Sequence, residues 1–140
     1  MKRNYFTAFS FPLCLLLIST QANSIVPEPQ VCPSAASIQA VGVSHKMVQE
    51  SNDLWFSGRR NQFYDTHSHW TFVIGKIAAS SVDDAYNKAV LNLNSLTFQM
   101  GPVEGPVGKW VCYYHASFGA DAVAVNPPIA RNIANALVKK

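Results

Sequence analysis

The chain is poor in charge and in cysteine. Charged residues make up 14% of it, and one of its three cysteines, Cys14, lies in an apolar run near the N terminus. The other two, Cys32 and Cys112, are too far apart for a Cys-x-x-Cys pair, a zinc ligand spacing or a haem attachment sequence. No Gly-x-Ser-x-Gly elbow and no phosphate-cradling glycine loop occurs, which removes two common routes to hydrolase and nucleotide chemistry. Basic residues are not gathered into a stripe. Beyond Lys2-Arg3 they pair only at Arg59-Arg60 and Lys139-Lys140, so nucleic acid is not an expected partner. No apolar run reaches the roughly 20 residues that carry a helix across a bilayer.

What is present begins with an export pattern. Met1 to Asn4 is a short basic start, Tyr5 to Ile18 is mostly apolar, and Thr20 and Ala22 are small residues two apart. These are the three parts of a cleavable signal, and they place cleavage after Ala22. A membrane anchor is disfavoured because the run is short and Pro12 interrupts it, and a lipoprotein because Cys14 lies inside the run with no small residues before it. The expected product is 118 residues long, secreted or periplasmic and not attached to a membrane. Loss of Lys2 and Arg3 lowers the formal charge from +3 to +1, so most of the apparent basicity belongs to the signal. In an oxidising compartment Cys32 and Cys112 are expected to bond.

Residues 23–31, with Pro27 and Pro29, read as an extended lead-in, 32–128 as one domain, and 129–140 as a tail with weak helical spacing. Even spacing of Val41, Val43 and Met47 predicts a strand within 37–48, and Leu54-Trp55-Phe56 a second. The clearest strand spans 68–77, with Trp70, Phe72 and Ile74 on one face. Over 80–98 the period changes to that of a helix, with Val82, Tyr86, Val90 and Leu93 as its stripe, Ser81 as cap and Asp84 as capping partner. Two Gly-Pro-Val units around Glu104 read as a loop. Strands over 109–117 and 122–125 follow. The expected fold is α+β, an antiparallel sheet with one long helix packed on a face in the order β-β-β-α-β-β.

The residues Cys32-Pro33, Gly42, Trp55, Trp70-Thr71-Phe72, Ala85-Tyr86, Gly101-Pro102 and Trp110-Val111-Cys112-Tyr113-Tyr114, behind a signal, give the chain a further association. In that order it resembles a family of small secreted proteins of unknown function in intracellular gram-negative bacteria. The resemblance implies export and brings no activity, cofactor or catalytic residue.

Candidate chemistry is sparse. His67-x-His69 is the sharpest local feature, because alternate residues of a strand share a face and two imidazoles there would share a metal. A third ligand would have to come from Asp65, His45 or His115. The same histidines, with Ser68 and Asp65 near in sequence, are what a hydrolase would use, although catalytic groups generally converge from separate segments. Trp70 and Phe72 belong to the core with Ile74, whereas Tyr113 and Tyr114 point opposite ways, so that one of them faces outward. Arg59-Arg60 is either a solvated turn or a grip on a partner's carboxylate. The reading reached is a non-catalytic domain without a cofactor. It binds a protein or small ligand through Arg59, Arg60, Glu104 and the exposed one of Tyr113 and Tyr114, with a metal-binding protein or hydrolase using His67 and His69 as the alternative.

Overall fold

The computed structural model describes residues 26–129. The expected signal peptide, its expected cleavage point after Ala22 and the expected tail beyond Ile129 lie outside the described residues. The elements are α1 (Ala35–Val41), β1 (Val48–Ser51), β2 (Leu54–Gln62), β3 (Trp70–Ala78), α2 (Val82–Asn94), β4 (Thr97–Gly105), β5 (Lys109–His115) and β6 (Asp121–Asn126). A three-residue 3-10 turn, Pro106–Gly108, joins β4 to β5. The strands form a six-stranded antiparallel sheet in the order β1-β2-β3-β6-β5-β4.

This overturns the expected β-β-β-α-β-β sheet with one long helix on a face. There are six strands among the described residues, and the helices are short, at seven and thirteen residues. Three local causes account for the difference. Residues 35–41 are helical because Ser34 caps them through its side chain, accepting from the Ser37 amide, and Gly42 ends them at φ 74°. The even spacing of Val41, Val43 and Met47 therefore does not mark a strand. The period of α2 runs past its end: Ser95 donates its backbone N–H to Asn92 and Leu93, and Thr97 opens β4 where a helical residue was expected. Finally, the Gly-Pro segment is strand, not loop. β4 is an edge of the sheet, where Pro102 withholds no ladder bond, and register shifts between Phe98 and Val103 absorb the irregularity.

Both sheet faces are buried. On one, Trp70, Phe72, Ile74, Cys112, Tyr114, Ala122 and Ala124 cluster with Ile38 of α1 and with Ala85, Ala89 and Leu93 of α2. The stripe differs from the expected one in that Val82 is 46% exposed and Ala85 fully buried, so small side chains rather than large ones bring α2 close. On the other face Phe56, Val73, Val111, Val123, Val125 and Ile129 form a second cluster, with Tyr113 packed against it. Ser81 caps α2 as expected, accepting from the Asp84 amide, while the Asp84 carboxylate returns to the amide of Ser80, one residue earlier than a capping box requires. Gln39 of α1 donates to the carbonyls of Leu93 and Asn94, satisfying the C-terminal end of α2.

Cys32 and Cys112 are disulfide-bonded, with Cα atoms 5.9 Å apart across 80 residues of sequence. Gly101 lies against this bond. A Cβ there would stand 2.7 Å from the Val111 carbonyl and 3.1 Å from Cys32 Sγ, and the glycine's φ of 130° excludes larger residues independently. Closing a loop of this length removes about 4 to 5 kcal/mol of denatured-state freedom in the chain-entropy view. Replacing both cysteines by serine is therefore expected to cost about 2 to 5 kcal/mol in guanidinium unfolding. A loss below about 1 kcal/mol would contradict that account.

Candidate binding corner

Arg59 lies near the end of β2, opposite Phe72 of β3, just before a register shift. Its Nη2 donates to the carbonyl of Val43 at 3.3 Å, in the segment that follows α1. That segment is held along β2 by Ser57, whose hydroxyl donates to the Ser44 carbonyl at 2.7 Å. The guanidinium is half-buried, and no carboxylate among the described residues forms an ion pair with it. Its Nε–H is buried without a hydrogen-bond partner among the described residues, and so is the hydroxyl of Tyr64. A buried donor left unpaired costs about 1 to 3 kcal/mol, so two of them in one corner are a concentrated expense of stability.

The end of β2 and the turn after it add backbone strain to this cost. Asn61 and Tyr64 adopt φ of 57° and 53°, left-handed values that asparagine tolerates and a tyrosine adopts at about 1 to 2 kcal/mol. Burial pushes the Tyr64 phenol well above its ordinary range, with the positive charge of Arg59 pulling the other way, so the hydroxyl keeps its proton. Burial does the same to Tyr114, reinforced by the negative charge of Asp65 and by Tyr64. Tyr114 is only 4% exposed and donates to the Pro33 carbonyl at 2.6 Å.

Asp65 ties this turn to α1. One carboxylate oxygen accepts from the Ser34 amide at 2.9 Å and from the Ser37 hydroxyl at 2.8 Å. Burial works against its charge, but these bonds from Ser34 and Ser37 prevail and lower its pKa to about 2. The carboxylate is thus spent on the helix N terminus and does not neutralise Arg59.

The other expected site residues are dispersed. β3 begins at Trp70, so His67 and His69 both lie in the turn before it. Thr66 organises that turn, its hydroxyl accepting from the Ser68 amide and from the Trp70 indole. His69 packs its ring on Phe63, with centroids 3.8 Å apart. His45 instead stacks on Tyr86 of α2, with centroids 4.1 Å apart. Among the described residues no three His, Cys, Asp or Glu side chains converge as a ligand set. Glu104 is exposed on β4, four strand spacings from β2 in the sheet, or about 19 Å, which separates it from the Arg59 corner. Of the tyrosine pair Tyr113 is the more exposed, half-buried against the second cluster, while Tyr114 is core. Arg60 is exposed beside Arg59. Tyr64 escaped the sequence reading, and its only available signal was an aromatic residue in an otherwise polar turn.

A depression of about 320 Å³ opens where α2 meets β3, lined by Lys76, Ile77, Lys88, Leu91 and Phe118. Its rim is charged but compensated, for Lys76 pairs with Asp121 at 2.5 Å and Lys88 with Asp84 at 2.9 Å. Arg59, by contrast, has no ion-pair partner among the described residues.

No family model, no curated protein and no solved structure matches this chain. No helix among the described residues is long and apolar enough to cross a membrane.

The Asp65 bonds set a pH dependence. Because the folded pKa is depressed from an ordinary 3.8 to about 2, the stabilisation is present above about pH 4 and is lost as pH falls toward 2. The group is largely solvent-facing, so screening holds the effect to about 1 kcal/mol at most. Urea midpoints of the wild type and of Asp65→Asn, compared at about pH 6 and about pH 3, are expected to differ more at the higher pH. Equal differences at the two pH values would refute the assignment.

Proposed function

We propose that the protein is exported to the periplasm or the medium, loses residues 1–22, and acts there as a non-catalytic domain that binds a protein or small ligand. The disulfide between Cys32 and Cys112 supports an oxidising compartment, since such bonds persist mainly outside the reducing cytosol. One observation carries the binding reading. Arg59 is a half-buried cation without an ion-pair partner among the described residues, and neither its Nε–H nor the buried Tyr64 hydroxyl has a hydrogen-bond partner there. A folded chain gains nothing in stability from such an arrangement, and residues that oppose stability concentrate where a partner is engaged. Contact then runs through the end of β2, with Arg59 half-buried and Arg60 exposed beside it.

Two measurements test this reading. Intact mass of the exported product is expected to place its first residue near Asn23, and a retained Met1 would refute export by this signal. In the isolated protein Arg59→Met keeps the length and apolar stem of the side chain and removes the charge. Replacing an uncompensated, partly buried charge in this way is expected to leave stability unchanged within about 1 kcal/mol or to raise it. A loss above about 2 kcal/mol would mean that Arg59 is a structural brace, and the binding reading at this corner would fall.

A further inference from the structure

We propose that the second face of the sheet is an interaction surface whose occupant is the chain's own segment 130–140, laid across β2, β3, β6 and β5. This goes beyond the binding reading above and does not depend on it. The cluster on that face consists of Phe56 on β2, Val73 on β3, Val123 and Val125 on β6, Val111 on β5 and one residue outside the strands, Ile129. Neither helix contributes to it, because Ile38 of α1 and Ala85, Ala89 and Leu93 of α2 all belong to the first cluster. The lead-in lies on that first side as well. Its Val26 carbonyl accepts from the Trp110 indole, and Trp110 alternates along β5 with Val111. Yet Val73, Val111, Val123 and Val125 are between 0 and 4% exposed. Valine side chains stand perpendicular to a sheet, so neighbours within it do not cover their tips. A face sealed in this way has a second layer over it.

The chain steps onto this face at Ile129. After β6, Pro127 and Pro128 stop the ladder, and the Ile129 amide donates to the Thr71 hydroxyl at 3.3 Å. Thr71 shares a face of β3 with Val73, and Ile129 is 4% exposed among the valines. Residues 130–140 lie outside the described residues, and their sequence has the pattern such a face calls for. Ile133 and Leu137 follow Ile129 at intervals of four with Ala130 and Ala134 beside them, while Arg131, Asn135 and Lys139 fall on the opposite side of a helical projection. A proline just ahead of such a run, here Pro128, suits a helix N terminus. Eleven residues at a helical rise reach about 16 Å, and four adjacent strands span about 14 Å. The segment therefore matches the surface in length as well as in polarity. A second copy is the less suited occupant, because Ile129 of the same chain is already seated there.

The test uses the whole exported protein with its methyl groups labelled with carbon-13. Nuclear Overhauser contacts are expected between the methyls of Val123 or Val125 and those of Ile133 or Leu137, in a protein that light scattering finds monomeric. Absence of these contacts would overturn the proposal. Contacts running only between the valine methyls of two copies, in a dimer, would assign the face to a second chain and overturn it equally. Denaturant unfolding gives an independent reading. Ile133→Asp and Leu137→Asp set a charge against the valines, and each is expected to raise the unfolding equilibrium constant at least about tenfold. Arg131→Gln and Lys139→Gln, on the opposite side of the same run, are expected to change it about twofold or less. Aspartate variants that unfold no more readily than the glutamine variants would remove Ile133 and Leu137 from the sheet, and the proposal with them.

Discussion

The junction at Cys32 is the constraint on which the remaining architecture depends. The disulfide fixes the start of the domain to β5, in the half of the sheet farther from β2 and β3. The next residue, Pro33, is buried and accepts the Tyr114 hydroxyl, so two consecutive residues are tied to alternate positions of β5 on one face. Ser34 then caps α1 and simultaneously gives its amide to Asp65 in the turn after β2. Within three residues the chain is joined covalently to one side of the sheet and by hydrogen bonds to the other. α1 is only seven residues long, and a helix of that length is not stable alone. Its order follows from the junction and from Ile38, which is fully buried in the first core cluster.

The same junction determines what the Arg59 corner looks like. With α1 held in place, the segment from Val43 to Lys46 lies along β2, where Ser57 and Arg59 bond to its carbonyls. The guanidinium is covered on that side, and the Asp65 carboxylate is occupied by the helix terminus. The lysines beside α2 had aspartates within reach and took them. Arg59 was left with a carbonyl. The difference is one of geometry rather than composition, because both regions contain acidic residues. It separates a compensated surface depression from a corner whose polarity has no counterpart among the described residues.

Particular residues explain which elements could be read in advance. β3, β5 and β6 were legible because each alternates between two buried faces, as Trp70, Phe72 and Ile74 alternate with Thr71 and Val73, and Cys112 and Tyr114 with Val111 and Tyr113. β4 was not. Its Gly101 and Pro102 are turn-formers in isolation, and only its edge position and the close packing of Gly101 on the disulfide make them compatible with a strand. α2 was read four residues too long because Leu96 and Phe98 continue its spacing. Leu96 is indeed buried, but from beyond the helix, while Phe98 stacks edge-on against Tyr114 from β4. Among the site residues, Arg59 drew notice as half of a basic doublet. Nothing in that doublet distinguishes the half-buried arginine from the exposed one, and nothing local places Tyr64 beside it.

By itself the sequence determined the features that short-range physics controls. They are the cap at Ser81 and the alternation that commits the central strands to burial on both faces, and with them the cysteine pattern pointed to the bond between Cys32 and Cys112. The tertiary structure alone decided the features that depend on which distant segments come together. The Asp65 carboxylate accepts from Ser34 and Ser37, 31 and 28 residues away in sequence, which only the docking of α1 brings to it. Which donors a carboxylate meets depends on segments far apart in sequence, so its partners are a property of the fold.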